Sequence, residues 1–472
     1  MERIMADLCV IGAGSGGLSV AAGAVQMGAS VVLIEAAEMG GDCLNHGCVP
    51  SKALIAAGRA AQAMRSGAGF GVAPVEPVVD FAAARDHVAR TIAAIAPHDS
   101  QERFEALGVR VIRARGRFIS PREVEAGPHR ITARRFVVAT GSAPLVPPIP
   151  GLDGVPYLTN ETVFDLRDRP EHLIIIGGGP IGLEMAQAHR RLGCRVTVVE
   201  AAQALWREDP ELAAVVLARL RAEDVEIIEN TAAQSVEGRS GALSLSLADG
   251  RSLSGSHLLV AVGRRPNLQG LGLDAAGIAH DRGGITVDDR LRSTNRRVFA
   301  IGDVAGRGQF THLAGYHAGI VIRSALLGLP ARARQHHIPR ATYTDPELAQ
   351  VGLTEAEARA LHGDRIEVVR SSFAENDRAR ADGKPDGLVK LVVLRGRPIG
   401  AGIAGPQAGE LIGIWALAIA SGLKLSAVAG TVLPYPTLGE VNKRAAGAYF
   451  SPKLFANPWL RRIVRLVQKG LP

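Results

Sequence analysis

Two cysteines five residues apart, Cys43 and Cys48, stand in the segment Gly40-Gly41-Asp42-Cys43-Leu44-Asn45-His46-Gly47-Cys48-Val49-Pro50-Ser51-Lys52. In an unbroken helix residues at that spacing point from different faces, whereas Gly47 permits a distorted turn that brings the sulfurs together. A helix N-terminus at such a turn lowers a thiol pKa and makes a thiolate available. The chemistry this suggests is dithiol–disulfide exchange. A pair of buried free thiols is the plain alternative, and a metal site lacks the second ligand pair of zinc spacing. The chain has two other cysteines, Cys9 in an apolar strand and Cys194 just before one, and both read as core thiols. His46, between the pair, reads as a solvated or capping loop residue, with a local base as the sharper alternative. Lys52 closes the segment. It is one of seven lysines, the remaining 54 − 7 = 47 basic residues being arginine, and an ammonium is not exchangeable with a planar guanidinium without cost.

The elements that must position these thiols form a repeat. Residues 6–35 read strand, glycine turn (Gly12-Ala13-Gly14-Ser15-Gly16-Gly17), helix, and a second strand ending in Glu35. Residues 172–200 read the same way, with Gly177-Gly178-Gly179-Pro180-Ile181-Gly182 as the turn and Glu200 as the terminal acid. Glycine and acid share one offset, 177 − 12 = 200 − 35 = 165, and each acid lies 18 residues past its last glycine. In such a unit Gly12 or Gly177 makes the tight turn. Gly14 or Gly179 lets the backbone approach a pyrophosphate, and Gly17 or Gly182 packs helix on strand. The helix N-terminus faces the phosphates and the acid accepts from ribose hydroxyls. Two such copies predict two bound dinucleotides.

Composition bounds the rest. The 472 residues are 47% apolar and 21% charged, which is ordinary globular usage and excludes a mainly disordered or fibrous chain. Aromatic residues are only 4%, too few for base-stacking platforms, and the net charge of +8 never gathers into a run of five. No nucleic-acid partner is expected. No stretch approaches ~18 uninterrupted apolar residues, the length of a membrane span, and Leu411 to Leu423 has the length of a buried core helix. The N-terminus enters the first strand almost at once, which argues against a cleaved signal and for a cytoplasmic protein. Pro144–Gly151 reads as a crossover out of the first nucleotide unit and Val262–Asn267 as the return from the second. Beyond a basic stretch at Arg332–Pro339 the pattern turns to alternating β with helices.

With these motifs in view, the chain resembles the flavin-dependent pyridine nucleotide-disulfide oxidoreductases, the family of dihydrolipoamide dehydrogenase, glutathione reductase and mercuric reductase. The resemblance runs to about residue 450 and rests on Gly40–Lys52, Ala139-Thr140-Gly141, the second glycine motif with Glu184, and Ala300-Ile301-Gly302-Asp303. It implies an α/β fold of two Rossmann-like dinucleotide-binding domains plus a C-terminal α+β dimerisation domain. The implied division is an FAD-binding part at 1–150, an NAD-binding domain at 151–266, a returning FAD-binding part at 267–338, an interface domain at 339–450 and a tail at 451–472. Gly12, Gly14, Gly17 and Glu35 would hold the adenosine and pyrophosphate of FAD, with Thr140, Gly141 and Gly263 in the cofactor-binding set and Asp303 at the ribityl chain. Lys52, paired with Glu184, would sit by the flavin. Cys48 would face the flavin as a thiolate and Cys43 would meet substrate. Gly177, Gly179, Gly182 and Glu200 would hold NAD. The implied reaction passes electrons from the nicotinamide through FAD to a Cys43–Cys48 disulfide and on to a small-molecule acceptor.

Two departures shape the expected substrate. Near the C-terminus the family's disulfide reductases carry His-Pro-Thr-x-x-Glu, supplied across a homodimer interface; here the segment is Tyr435-Pro436-Thr437-Leu438-Gly439-Glu440. Mercuric reductase is similar in having Tyr there. A phenol with an ordinary pKa of ~10 is a poor base near neutrality, and losing a positioned acid–base group costs ~10²–10⁴ in rate. The chain also ends at Lys469-Gly470-Leu471-Pro472 without the vicinal Cys pair of mercuric reductase, and that enzyme's N-terminal metal-binding domain is not seen. The acceptor is therefore expected to be a thiophilic metal ion, a quinone or a disulfide. Dihydrolipoamide dehydrogenase and a non-enzymatic redox sensor are the alternatives, and no resident metal is expected. Glu200 is followed by Ala201 and Ala202, with the first arginine at Arg207, so NADH is expected over NADPH. In the tail, Pro458 can start a helix. At about 100° per residue its apolar side chains fall between roughly 340° and 140°, and Arg461, Arg462, Arg465, Gln468 and Lys469 between roughly 180° and 300°. Packing on the interface domain is the plain expectation and weak contact with a membrane surface the sharper one.

Overall fold

Strands that are continuous apolar runs, alternating with helices, require a parallel sheet covered on both faces. The computed structural model describes residues 1–471 and has two compact units. The first comprises Met1–Ser66, Pro74–Ala201 and Ile227–Gln335. Strand β1 (Glu2–Ile11) passes through the glycine turn into α1 (Ser15–Gln26) and β2 (Val31–Glu35), and the cysteine segment forms α2 (Gly41–Asn45) and α3 (Cys48–Arg65). β1 pairs in parallel with β2 on one side and with His129–Val138 on the other. Val298–Ala300 returns from far along the chain to pair with His129–Val138. Alternate residues of β1 serve the two faces. Cys9 and Ile11 enter one core with Phe118 and Phe136, while Leu8 and Val10 enter another with Leu18, Ala21 and Phe104.

The second copy is β3 (His172–Ile176), α4 (Pro180–Arg191) and β4 (Arg195–Val199). β3 pairs in parallel with β4 and with His257–Val260, and a three-stranded antiparallel sheet, Ala233–Arg239, Ala242–Leu247 and Ser252–Gly255, packs its apolar residues with those of β3. Helix α5 (Thr311–Val321) shares a core with α1 through Ala318, Ile320 and Val321.

The second unit gathers Gly67–Ala73, Ala202–Glu226 and the chain from His336 onward. Its frame is a five-stranded antiparallel sheet in the order Arg340–Thr342, Glu347–Gly352, Arg397–Gly405, Leu388–Leu394, Ile366–Ser372. Buried Trp415, Ile419, Val441 and Ala445 pack with strand residues Val389, Leu391 and Ile403. The expected single helix over Leu411–Leu423 is a correction: helices Ala408–Leu411 and Gly413–Ala420 are separated at Ile412, where glycine follows as a poor helix former, and Leu417 is exposed. Lys390 is 4% exposed and its Nζ reaches Asp209, Glu211 and Glu355 at 2.8, 2.6 and 2.8 Å. Burial alone would lower its pKa, but the three carboxylates outweigh that and raise it. The tail forms α6 (Pro458–Gly470), opened by the Asn457 side chain accepting from the Trp459 N–H at 3.0 Å. None of its residues is buried within the chain, and it contacts helix Glu440–Phe455; Pro472 lies outside the described residues.

Candidate redox site and nucleotide cradles

The break that brings the cysteines together lies at His46–Gly47. Cys43 is in the single turn of α2 and Cys48 is the first residue of the 18-residue α3. A Cβ on Gly47 would lie 2.9 Å from Asp42 Oδ2 and 3.2 Å from Cys43 Cα, so the tight fold-back admits only glycine without displacement. Both cysteines are free thiols. The neighbouring Cys43 thiol holds the Cys48 pKa down to about 6 against partial desolvation, with Thr311 and Lys52 adding to the effect; Cys43 is correspondingly pushed up. The shifts run in opposite directions and favour a thiolate on Cys48 over one on Cys43. Thr311, first residue of α5, places Oγ1 3.5 Å from Cys48 Sγ. Lys52 Nζ donates to Glu184 Oε2 at 2.8 Å, joining α3 to α4. Glu184 is nearly buried while Lys52 is partly open.

The two glycine turns match position by position in φ and in what a Cβ would meet. Gly12 and Gly177 have φ of 105° and 115°, and a Cβ on either would meet a carbonyl, Ala139 O or Ala261 O, at 2.4 Å. A Cβ on Gly17 or Gly182 would lie 1.8 or 2.0 Å from the carbonyl oxygen of Gly12 or Gly177. Gly14 and Gly179 instead look onto open space, and no side chain caps the helices they begin. Glu35 accepts from the Ala13 N–H at 2.6 Å and Glu200 from the Gly178 N–H at 2.7 Å, so each acid is tied to its own turn. Open backbone at the middle glycine, an uncapped helix start and a tethered carboxylate fit a dinucleotide twice over.

A polar chain connects the first cradle to the cysteines. Ser142 Oγ donates to Asp303 Oδ2 at 2.5 Å and accepts from Arg264 Nε at 2.8 Å. Arg264 also reaches Asp42 at 3.0 Å, and Asn160 donates to Asp42 and to the His46 carbonyl, each at 3.1 Å. Burial raises the Asp303 pKa, opposed by Ser142 and Arg264. Thr140 donates to the Asn267 carbonyl at 2.9 Å, Gly141 accepts from the Asn267 N–H, and Gly263, at φ 130°, accepts from Leu145. These residues fit the flavin half of FAD by their set of hydrogen-bond donors and acceptors.

His46 contributes its carbonyl to Asn160. His317 is fully buried, accepts from the Gly302 N–H at 3.2 Å, and is held neutral by burial at a pKa of about 4. Cys9 and Cys194 are buried, with Cys194 pushed up to about 12. Tyr435 and Glu440 belong to the second unit. The Tyr435 hydroxyl donates to Asp377 Oδ2 at 3.0 Å, and that carboxylate raises the phenol's pKa; Glu440 opens helix Glu440–Phe455. Among the described residues no group of three or more His, Cys, Asp and Glu side chains is placed to hold a metal ion. Sequence reasoning missed Thr311, Asp42, Arg264 and Asn160. Asp42 carried a signal, a carboxylate immediately before the first cysteine. Thr311 carried none at 263 residues' remove.

A dithiol beside a Lys–Glu pair, between two dinucleotide cradles, defines a nicotinamide-linked flavin oxidoreductase. Residues 6–318 match the model of the pyridine nucleotide-disulphide oxidoreductases and 338–446 that of their dimerisation domain, and the chain belongs to this family. It is 36% identical over 460 residues to the mercuric reductase of Streptomyces lividans, covering 94% of this chain and 96% of that one. It is 37% identical over 461 residues to the dihydrolipoyl dehydrogenase of Thermus scotoductus, covering 94% and 97%. Among solved structures, the HOCl-induced flavoprotein disulfide reductase RclA from Escherichia coli superposes with a TM-score of 0.84 at 28% identity, covering 93% of this chain and 99% of that one. LpdA from Mycobacterium tuberculosis gives 0.86 at 27%, covering 95% and 99%. The protein is an FAD-dependent disulfide oxidoreductase that uses a pyridine nucleotide, and its dimerisation domain supports a homodimer.

Proposed function

We propose that this enzyme is a cytoplasmic homodimer that takes electrons from NADH and delivers them, by way of Cys43 and Cys48, to a small-molecule acceptor that needs little proton transfer at sulfur: a thiophilic metal ion or a quinone. Bound FAD supplies the two-electron relay between nicotinamide and dithiol. Gly12, Gly14, Gly17, Glu35, Thr140, Gly141, Gly263 and Asp303 hold it, and Gly177, Gly179, Gly182 and Glu200 hold the nicotinamide dinucleotide. Cys48 keeps the thiolate, Lys52 and Glu184 fix the charge beside it, and Cys43 presents the outer sulfur to the acceptor. Glu200 favours NADH because a carboxylate accepts from a ribose 2′-OH and repels a 2′-phosphate. Tyr435 and Glu440 act on the partner's thiols, and the tail adds a weak membrane contact.

One observation carries the choice of acceptor. The Tyr435 phenol donates to Asp377, and a carboxylate in that position keeps the phenol protonated. Its single O–H is committed to Asp377, and a phenol held protonated in this way does not take the proton of an incoming dithiol. Relatives named as mercuric reductases and a Cu(II) complex of RclA support the metal reading. The near-equal identity to a dihydrolipoyl dehydrogenase keeps that activity as the second reading. Steady-state turnover of the FAD-loaded dimer with NADH against metal ions, quinones, lipoamide and glutathione disulfide separates them. Lipoamide or glutathione turnover near ~10² s⁻¹, an ordinary enzyme rate, sinks the proposal. Tyr435→His raises thiol-substrate turnover by at least ~10-fold if the phenol occupies the proton-transfer position.

A further inference from the structure

The positive charge of this chain is not spread along it. The last 32 residues, beyond Glu440, hold Lys443, Arg444, Lys453, Arg461, Arg462, Arg465 and Lys469 and no Asp or Glu. The preceding 440 residues hold 54 − 7 = 47 basic and 46 acidic side chains, so +7 of the formal +8 lies in the tail region. Lys453 and Arg444 pair with Glu367 and Glu375 at 2.6 and 3.5 Å. The four basic residues of α6 form no ion pair among the described residues. They share one side of the helix, and the other side carries Trp459, Leu460, Ile463, Val464, Leu466 and Val467, none of them buried. Trp459 and Leu466 are each 69% exposed. The family's dimerisation domain ends at residue 446, so the helix lies outside the shared interface domain.

We infer that α6 is an interfacial helix that docks this enzyme on an anionic lipid bilayer. Its axis lies in the plane of the surface, its apolar side enters the headgroup–acyl boundary, and its arginines face lipid phosphates. Both sides of the helix demand a partner at once. A nucleic acid would engage the basic side and leave the apolar side in water. A second copy of α6 would cover the apolar side while bringing like charges together. An anionic bilayer satisfies both. Trp459 lies in the first turn of the helix, and tryptophan favours the membrane–water interface; Arg462 lies over its ring at 5.3 Å. No described helix is long and apolar enough to cross a membrane, so the attachment is peripheral. Each basic residue near an anionic surface raises affinity roughly fivefold, and the effect is screened by salt.

The test is flotation of the FAD-loaded, full-length dimer with vesicles of phosphatidylcholine alone or with roughly one third phosphatidylglycerol. The enzyme floats with the anionic vesicles, scarcely with the neutral ones, and is released by about 0.5 M salt. Removing residues 458–472 abolishes flotation while NADH turnover with a dye acceptor and dimer size are unchanged. A full-length variant with Arg461→Gln, Arg462→Gln, Arg465→Gln and Lys469→Gln loses at least ~10-fold in vesicle affinity. Leu466→Ala with Trp459→Ala loses binding with the charge intact. Equal binding to both vesicle types, or flotation that survives the truncation, overturns the inference. So does a change of oligomeric state on truncation, which assigns the helix to a second copy, or retention on an acidic protein without any lipid binding.

Discussion

At the scale of single residues, the distinguishing property is an acidic thiol in a pair whose other member is not. Cys48 sits near 6 because of the Cys43 thiol beside it, helped by Thr311 and Lys52. The thiolate is therefore populated above pH 6 and lost below it, whereas an ordinary cysteine titrates at ~8.5. The reduced protein is expected to show one thiolate absorbance titrating near pH 6 that is absent in Cys48→Ser. Thr311→Val removes a donor and moves that midpoint upward, lowering the thiolate population at pH 6 by roughly threefold. A titration at the ordinary cysteine value in the parent protein refutes the arrangement. The cysteine pair and Lys52 were legible because their spacing is local. Thr311 was not, because its contact is made only when α5 is brought back to the first sheet by Val298–Ala300.

At the scale of elements, the same strand–turn–helix–strand unit is built twice, and its two copies can be injured separately. Gly17→Ala drives a methyl to 1.8 Å from the Gly12 carbonyl and Gly182→Ala to 2.0 Å from that of Gly177. Each turn must open to admit it, at a cost of about 1–3 kcal/mol. Gly17→Ala is expected to yield protein depleted of FAD, seen in its visible spectrum. Gly182→Ala is expected to keep its flavin while KM for NADH rises by at least ~10-fold. Equal flavin loss in both variants contradicts the assignment of one dinucleotide to each cradle. The repeat was readable because glycine and acid recur at one offset, a pattern set by backbone geometry alone. The apolar run at Leu411–Leu423 misled because its composition speaks for burial but not for continuity. It is divided near Gly413, and Trp415 Nε1 donates to Asn442 at 2.7 Å.

At the scale of the molecule, charge is used in two opposite ways. In the second unit it is paired: Lys390, 4% exposed, sits among Asp209, Glu211 and Glu355, with Arg370 on Glu211 at 2.6 Å. Lys390→Met strands the carboxylates and is expected to destabilise the protein by about 3–5 kcal/mol in denaturant unfolding near neutrality. Glu211 is held down to about 2, first by Arg370 and then by Lys390. Its share of the stability is complete above pH 4.5 and lost as pH falls toward 2, so the deficit of Lys390→Met shrinks on acidification. A deficit that grows on acidification contradicts this account. None of this was legible beforehand, because Asp209 and Lys390 meet only through the fold. In the tail, charge is left exposed and unbalanced, and a homodimer presents that helix twice. On the lipid docking inferred above, once one copy is held the second meets the surface at an effective concentration set by the protein itself rather than by the solution. Two weak footholds then act as a coincidence detector, and occupancy becomes a steep function of how much anionic lipid the surface contains.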